Sequence, residues 1–360
     1  MFSSSKAVTA VAVAQLVDRG FLNYNNPIAN YWPEFADQMK GSITVAEMLK
    51  HEGGMPHLHN PVSYEDLLPG NLANGKVAEI LAKQTPIYPV HTPREYHNQT
   101  AGWVLNEVFR RQSPDKESMG SWVQREIAAP LGADVYLGLP DTLLTKVADL
   151  SGMSQSEAMF QSLLPKFLGS KVDHNIIVFS KLLQSFNKRF RDPDPRGYAP
   201  DVPVDSSDTD AFLRFVNSWC WRHTESPHGN VHASARGLAR VAAAMADQGA
   251  LGDVRILSRE GWSLLHDNST VEVDAAMGKC RTQFTQGIQY QVLVSNGSNI
   301  FLTPGGVNMF VDYDDDVLSE RVFKSGRHGF IGWLGFGGSV LQWHPSARIG
   351  FGYTCTLVTW

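Results

Sequence analysis

Cysteine is scarce: the 360 residues contain three, Cys220, Cys280 and Cys355, far apart and without pair spacing. An odd count so placed argues against a disulfide framework and against a cysteine metal centre. Charge of one sign is lacking too. Lys and Arg number 31 against 36 Asp and Glu, and no long basic run appears, which leaves no footprint for nucleic acid or an anionic membrane surface. No uninterrupted apolar stretch is long enough to span a bilayer. Nor is there an internal repeat. Hydrophobic residues make up 43% and charged residues 19%, enough apolar content for a sizeable core and too much for a disordered chain.

The informative stretch is the first one. From Ser3-Ser4-Ser5-Lys6 the chain runs through Ala7 to Val17 with only small and apolar residues plus Thr9 and Gln15, and no Gly or Pro before Gly20. A helix apolar nearly all round is a buried central helix. The serine cluster at its start suits helix capping. Ser3 and Lys6 also lie three apart, so both project from one face. This is the S-x-x-K arrangement of a nucleophilic serine beside a lysine, at a helix end whose positive dipole favours a developing oxyanion. The same four-residue pattern occurs at Ser113–Lys116 and Ser185–Lys188, in polar or basic surroundings, so the tetrapeptide alone leaves capping and catalysis both open. Lys6 followed by an Ala/Val run also imitates a short signal peptide. Asp18 and Arg19 continue the helical phase, however, and the expected location is the cytoplasm.

Further on, Asn25-Asn26-Pro27 makes a turn, and Pro27 to Phe35 reads as a helical turn bracketed by prolines. Thr44 with Glu47 three residues later is a capping box opening a helix to Leu49. His51, His57 and His59 follow, but no ligand spacing supports a metal, and no cofactor is expected. The pattern is mainly helical from 62 to about 265, with clear helices at Asn98–Arg111 and Ser234–Gly249 and a Pro/Asp-rich loop from Asp192 to Ser207. After Gly287 the period becomes two. Ser339 to Trp343 and Ile349 to Leu357 read as antiparallel partners, the latter with Ile349, Phe351, Tyr353, Cys355 and Leu357 on one buried face. That face needs helices, and the opening helix can cover part of it. The fold class is α+β.

Tyr96-His97-Asn98 stands just before a helix, where a phenol can enter a cleft. An S-x-x-K serine needs a second proton carrier, one group to accept from the serine and one to donate to the leaving group, and Tyr96 fits. With these residues in place, the sequence resembles the serine β-lactamase-related family of class C β-lactamases, D-alanyl carboxypeptidases and esterases. Phe2 to Lys6 with Val17-Asp18-Arg19-Gly20, Ile43 to Leu49 with His51 and Gly54, Tyr96 to Asn98 with Gly102-Trp103, and His232 to Arg240 carry the resemblance.

It implies an antiparallel sheet flanked by helices in one domain, 1–360, with a sheet lobe from about 1–60 and 285–360 and a mainly helical lobe at about 61–284. The implied activity is that of an acyl-enzyme hydrolase with Ser3 as nucleophile, Lys6 and Tyr96 as proton carriers and Asn98 orienting substrate. The family's third motif, Lys- or His-x-Gly on the edge strand, is replaced here. Its best register is Trp333-Leu334-Gly335, with Phe336 following; Phe336-Gly337-Gly338 and Lys324-Ser325-Gly326 are other registers. Trp has one N–H and no charge, which disfavours carboxylate-bearing substrates such as penicillins and favours neutral esters. The expected partner is therefore a small-molecule ester or amide.

Against the family pattern the chain starts two residues before the nucleophile and stops within a strand. That predicts a shortened form, less stable and less active than a longer one. The alternative function is a catalytically silent or truncated binding or scaffold protein of the same fold.

Overall fold

Helix α1, Ser5–Asp18, is buried from Ser5 through Leu16, as its all-round apolar surface requires. The computed structural model that places it describes residues 1–60, 62–63, 65–88, 94–152, 209–275, 280–287, 289–290, 300–302, 308–311 and 329–358. The Ser185–Lys188 pattern, the loop from Asp192 to Ser207 and Lys324-Ser325-Gly326 lie outside these residues. The other repeat of the pattern, Ser113–Lys116, is a turn with Ser113 buried and Lys116 exposed, in which Lys116 has a positive φ and bonds the Arg111 carbonyl.

Capping does not explain the serine cluster. A 3-10 turn, Phe2–Ser4, precedes α1, and Ser4 at the N-cap makes no side-chain cap bond. Its φ/ψ of −59°/−20° is helical, whereas a capping residue is typically extended. The hydroxyls reach tertiary partners instead. Ser4 Oγ donates to the Ser339 carbonyl at 2.9 Å, and Ser5 Oγ accepts from the Val231 N–H at 3.1 Å.

Five other helices position the elements around α1. Helix α2, Val45–Leu49, opens with both bonds of the Thr44–Glu47 capping box. Helix α3, Thr100–Gln112, buries Val104, Leu105, Val108 and Phe109. Helix α4 is Thr209–Val216. Helix α5, Ala235–Ala246, is capped by Ser234, whose side chain accepts from the Gly237 N–H, and Gly249 follows at φ +87°. Helix α6, Arg259–His266, is capped in the same way by Ser258. Helix α1 lies between α3, α6 and the sheet.

A two-stranded antiparallel ladder, β1 (Val135–Leu137) with β2 (Val231–Ala233), stands apart from the main sheet. The main sheet has eight strands among the described residues: β3 (Thr270–Val273), β4 (Cys280–Phe284), β5 (Gln289–Tyr290), β6 (Ile300–Leu302), β7 (Asn308–Val311), β8 (Ile331–Leu334), β9 (Val340–His344) and β10 (Ile349–Tyr353). Their order is β10-β9-β8-β5-β4-β7-β6, with β3 also on β4, and every pairing is antiparallel. Strands β3 and β4 precede Gly287, so the sheet begins earlier than the change of period suggests.

The expected β9–β10 pair forms, in the register Val340↔Tyr353 to His344↔Ile349. Its buried face is the opposite one from that expected. Ile349, Phe351 and Tyr353 are 50, 47 and 47% exposed. The glycine face meets a helix, and that helix is α5 rather than α1. A Cβ on Gly350 would lie 2.3 Å from Ala243 N, and one on Gly352 would lie 2.4 Å from Ala239 N. Helix and strand backbones approach so closely that no side chain fits between them. A period-two pattern shows which residues share a face, and glycine, scored as polar, disguised the buried one.

Candidate active site

The three predicted chemical groups meet. Ser3 Oγ lies 2.6 Å from Tyr96 Oη and 3.4 Å from Lys6 Nζ. One helical turn along α1 brings Lys6 over Ser3, and Phe2, at φ +47°, turns the chain sharply just before the serine. Lys6 is 2% exposed. Its Nζ donates to two main-chain carbonyls, Asn98 O at 2.9 Å and His228 O at 3.0 Å. In the free-base form two N–H groups serve these carbonyls and the lone pair is left for Ser3. The helix dipole adds a positive end at the same place.

Tyr96 is held from both sides. Its N–H donates to Asp274 Oδ1 at 3.1 Å, and its ring packs 4.8 Å from that of His51 and beneath Lys6 Nζ, 4.7 Å from the centroid. The segment is fixed by Glu95 N–H to His51 O and by Ala275 N–H to Arg94 O. Buried Arg94 bonds Glu52 at 2.5 Å and also bonds the Thr270 hydroxyl and Thr282 carbonyl. Burial raises the Tyr96 pKa above the ordinary phenol value; the Ser3 bond opposes this and Asp274 adds to it. At neutral pH the phenol keeps its proton.

The other predicted residues surround this trio without all touching it in the same way. Asn98 contributes its carbonyl to Lys6, and its half-buried side chain makes no hydrogen bond with the described residues. Trp333, 2% exposed on β8, stacks on Phe284 and lies 5.6 Å from Lys6 Nζ, but its one N–H is spent on the Gly287 carbonyl at 2.7 Å. It is a wall without a free donor. Gly335 follows β8, and a Cβ there would strike Met1 O at 2.2 Å and Ser4 Oγ at 2.8 Å, so only glycine lets the first residues lie against the strand. Its N–H is bonded to Ser339 O at 2.8 Å. Phe336 packs its ring at 5.5 Å on Phe2 and at 6.1 Å on Phe212 of α4. The alternative register Phe336-Gly337-Gly338 is a 3-10 turn beyond the strand.

Sequence reasoning missed the loop from Thr224 to Val231. Thr9 Oγ1 donates to Pro227 O at 2.8 Å, Lys6 to His228 O, and Val231 N–H to Ser5 Oγ, so three α1 side chains grip it. Inside the loop, Asn230 Nδ2 donates to Trp221 O and Thr224 O, and Ser226 Oγ donates to Gln99 Oε1 at 2.7 Å while accepting from Trp103 Nε1 at 3.0 Å. Three buried imidazoles, His51, His97 and His228, cluster behind Tyr96 with His51 centroids 5.9 Å from each of the other two. Burial lowers all three pKa values, His97 to about 4, so the cluster is neutral at pH 7. His57 faces Glu95 at 3.6 Å, and among the described residues no group of three or more His, Cys, Asp or Glu could hold a metal.

A serine in the turn that opens a buried helix, with a lysine three residues on and a tyrosine from a separate segment, against an antiparallel sheet, defines the class of serine β-lactamase and transpeptidase-like α+β proteins. The chain belongs to the beta-lactamase family, whose model matches residues 1–360. It is 27% identical over 267 residues to the esterase/beta-lactamase LipL of Mycobacterium tuberculosis, covering 72% of this chain and 53% of that protein, so it spans about half the length of this curated relative. Among solved structures it resembles a family VIII carboxylesterase at 25% identity and TM-score 0.69, with 99% of this chain and 77% of that one covered. A penicillin-binding-protein homologue from Caulobacter crescentus matches at 23% identity and TM-score 0.68, covering 100% of this chain and 77% of the other, and supports the fold. No helix among the described residues is long and apolar enough to cross a membrane.

Proposed function

We propose that this chain is an esterase-like serine hydrolase that works through an acyl-enzyme on small neutral esters or amides. The observation that carries the reading is the trio itself, Ser3 Oγ at 2.6 Å from Tyr96 Oη and 3.4 Å from Lys6 Nζ. Lys6, as free base, takes the Ser3 hydroxyl proton while Oγ attacks the ester carbonyl. The resulting oxyanion is received by the N–H groups of Ser3 and Phe336, since that of Gly335 is already bonded to Ser339. Collapse breaks the bond to the alkoxide, which leaves as the alcohol with a proton passed through Tyr96 and replaced from Lys6. Water then attacks the Ser3 ester, gives its proton to the same pair, and releases the carboxylic acid with Ser3 restored.

The neutral-substrate assignment rests on β8. Where a cation would hold a carboxylate, this chain has Trp333 with its only donor occupied. Similarity to a family VIII carboxylesterase points the same way, while LipL, an esterase/beta-lactamase, supports hydrolysis without separating the two substrate classes. The test is labelling by a fluorophosphonate with intact-mass detection, followed by turnover of nitrophenyl acetate, nitrophenyl butyrate and nitrocefin. One adduct that disappears in Ser3→Ala, with the esters cleaved faster than nitrocefin, is expected. Absence of the adduct would favour a catalytically silent binding protein. Nitrocefin as the better substrate would overturn the neutral-ester assignment.

A further inference from the structure

The clamp on Lys6 has two jaws that come from distant parts of the chain, Asn98 O before α3 and His228 O in the loop before β2. Something must keep them at a fixed separation, because a lysine amine is flexible and follows its acceptors. The His228 side chain stands where the two jaws meet. It is 3% exposed, and a Cβ on Gly102 of α3 would lie 2.7 Å from its Cγ and 2.9 Å from its Cβ, so the imidazole is seated directly on the helix backbone. The main chain of His97, the residue next to Asn98, faces the same ring and favours its protonated form, while burial outweighs this and keeps the ring neutral. Beside it, a Cβ on Gly229 would meet Gln99 Nε2 at 2.4 Å, so the Gln99 side chain at the start of α3 packs directly on the loop backbone. The titratable groups facing the ring are Lys6, His51 and His97.

We propose that His228 is a positioning residue of the active site: its ring, seated on Gly102 and against His97, joins the two carbonyl jaws and so fixes the orientation of the Lys6 amine toward Ser3. This rests on Lys6 acting as the base in the reading above. His228 touches neither the serine nor the substrate in that scheme. Its effect passes through its own carbonyl. Because no side chain stands at 102 or 229, the His228 ring packs directly on the α3 backbone and the Gln99 side chain packs directly on the loop backbone, and these contacts set the separation of the jaws.

The experiment compares wild type, His228→Ala and Gly102→Ala, with the full chain labelled with 15N-lysine. His228→Ala removes the ring and leaves the other loop bonds, whereas Gly102→Ala keeps the ring and displaces it. The Lys6 Nζ resonance, assigned by its loss in Lys6→Arg, is followed against pH alongside the acid limb of kcat/KM. The expected result is a shift of the Lys6 midpoint by about half a pH unit or more in each variant, since one acceptor of the amine is moved. The acid limb should move with it, and kcat should fall at least about tenfold with KM changed by no more than about twofold, the split expected when orientation rather than binding is lost. His228→Gln, which retains a polar side chain of similar reach, should recover part of the kcat. A Lys6 midpoint and acid limb identical to wild type in whichever variant folds would overturn the proposal. Wild type that fails to react with a fluorophosphonate would instead sink the hydrolase reading, and the Lys6 midpoint would still report whether the clamp depends on His228.

Discussion

Replacing Tyr96 by Phe isolates the phenol from everything else the residue does. The ring keeps its place, 4.8 Å from His51, 6.1 Å from Trp333 and under Lys6 Nζ, and the main-chain bond to Asp274 is untouched. Only the hydroxyl 2.6 Å from Ser3 is lost. Its partner is a half-buried serine that can rotate to other acceptors, so the cost in stability is that of one modest hydrogen bond, about 0.5–1.5 kcal/mol. The cost in rate is larger. A positioned proton carrier contributes about 10²- to 10⁴-fold, and because burial keeps this phenol protonated, its loss falls on donation to the leaving group. Esters with good leaving groups need that donation least. Tyr96→Phe is therefore expected to lose more turnover on an alkyl ester than on a nitrophenyl ester, with KM little changed. Stopped-flow and steady-state assays on both, beside a thermal melt, make the comparison. Equal losses on the two esters would refute the assignment of Tyr96 as the donor, and unchanged turnover on both would remove it from the chemistry altogether.

Two predictions concern stability. Gly352→Ala inserts a methyl 2.4 Å from Ala239 N and 2.6 Å from Leu238 Cβ on α5, an overpacking expected to cost about 1–3 kcal/mol or more, while Phe351→Ser on the exposed face of the same strand should stay within about 0.5 kcal/mol. Urea unfolding of both variants checks this, and equal midpoints would show that strand and helix separate at little cost. Glu225, 3% exposed, has its pKa raised by burial to about 7 despite bonds from the Ser118 hydroxyl and the Gly120 N–H. The folded state then binds more protons than the unfolded chain between the unfolded value of 4.5 and about 7, so stability from this group is full below 4.5 and declines as pH rises through 7. Unfolding measured from pH 5 to 8 should show that decline in wild type and a flatter profile in Glu225→Gln; parallel profiles would contradict it.

The residues that were legible in sequence share one property: their partners are local, or their pattern is periodic. The Thr44–Glu47 and Ser234 caps bond within four residues, and α1 is recognisable because every face of it is apolar. Ser3 and Lys6 could be paired by helical spacing, and Tyr96 by chemical need once a nucleophile was assumed. What stayed hidden was contributed by main chain. Lys6 is held by the carbonyls of residues 98 and 228, and a carbonyl has no letter of its own. The Thr224–Val231 loop is stitched to α1 through Thr9, Lys6 and Ser5, yet each of these reads locally as a helix residue.

Glycine misled for the same reason. Gly350 and Gly352 look like the polar half of an alternating strand, whereas they are the half that touches α5, and the large apolar residues between them face outward. In each case the missing information is how near two backbones come. Close packing on a glycine backbone also shapes the site. Gly335 lets the first residues lie along β8, Gly102 seats His228 against α3, and Gly229 lets the loop close on Gln99. A methyl added at any of these three positions leaves Ser3, Lys6 and Tyr96 unchanged in type, but it displaces what packs on the glycine and so shifts their setting. The effect on turnover should thus exceed the effect on substrate binding, because the attack geometry tolerates less displacement than the surrounding pocket does.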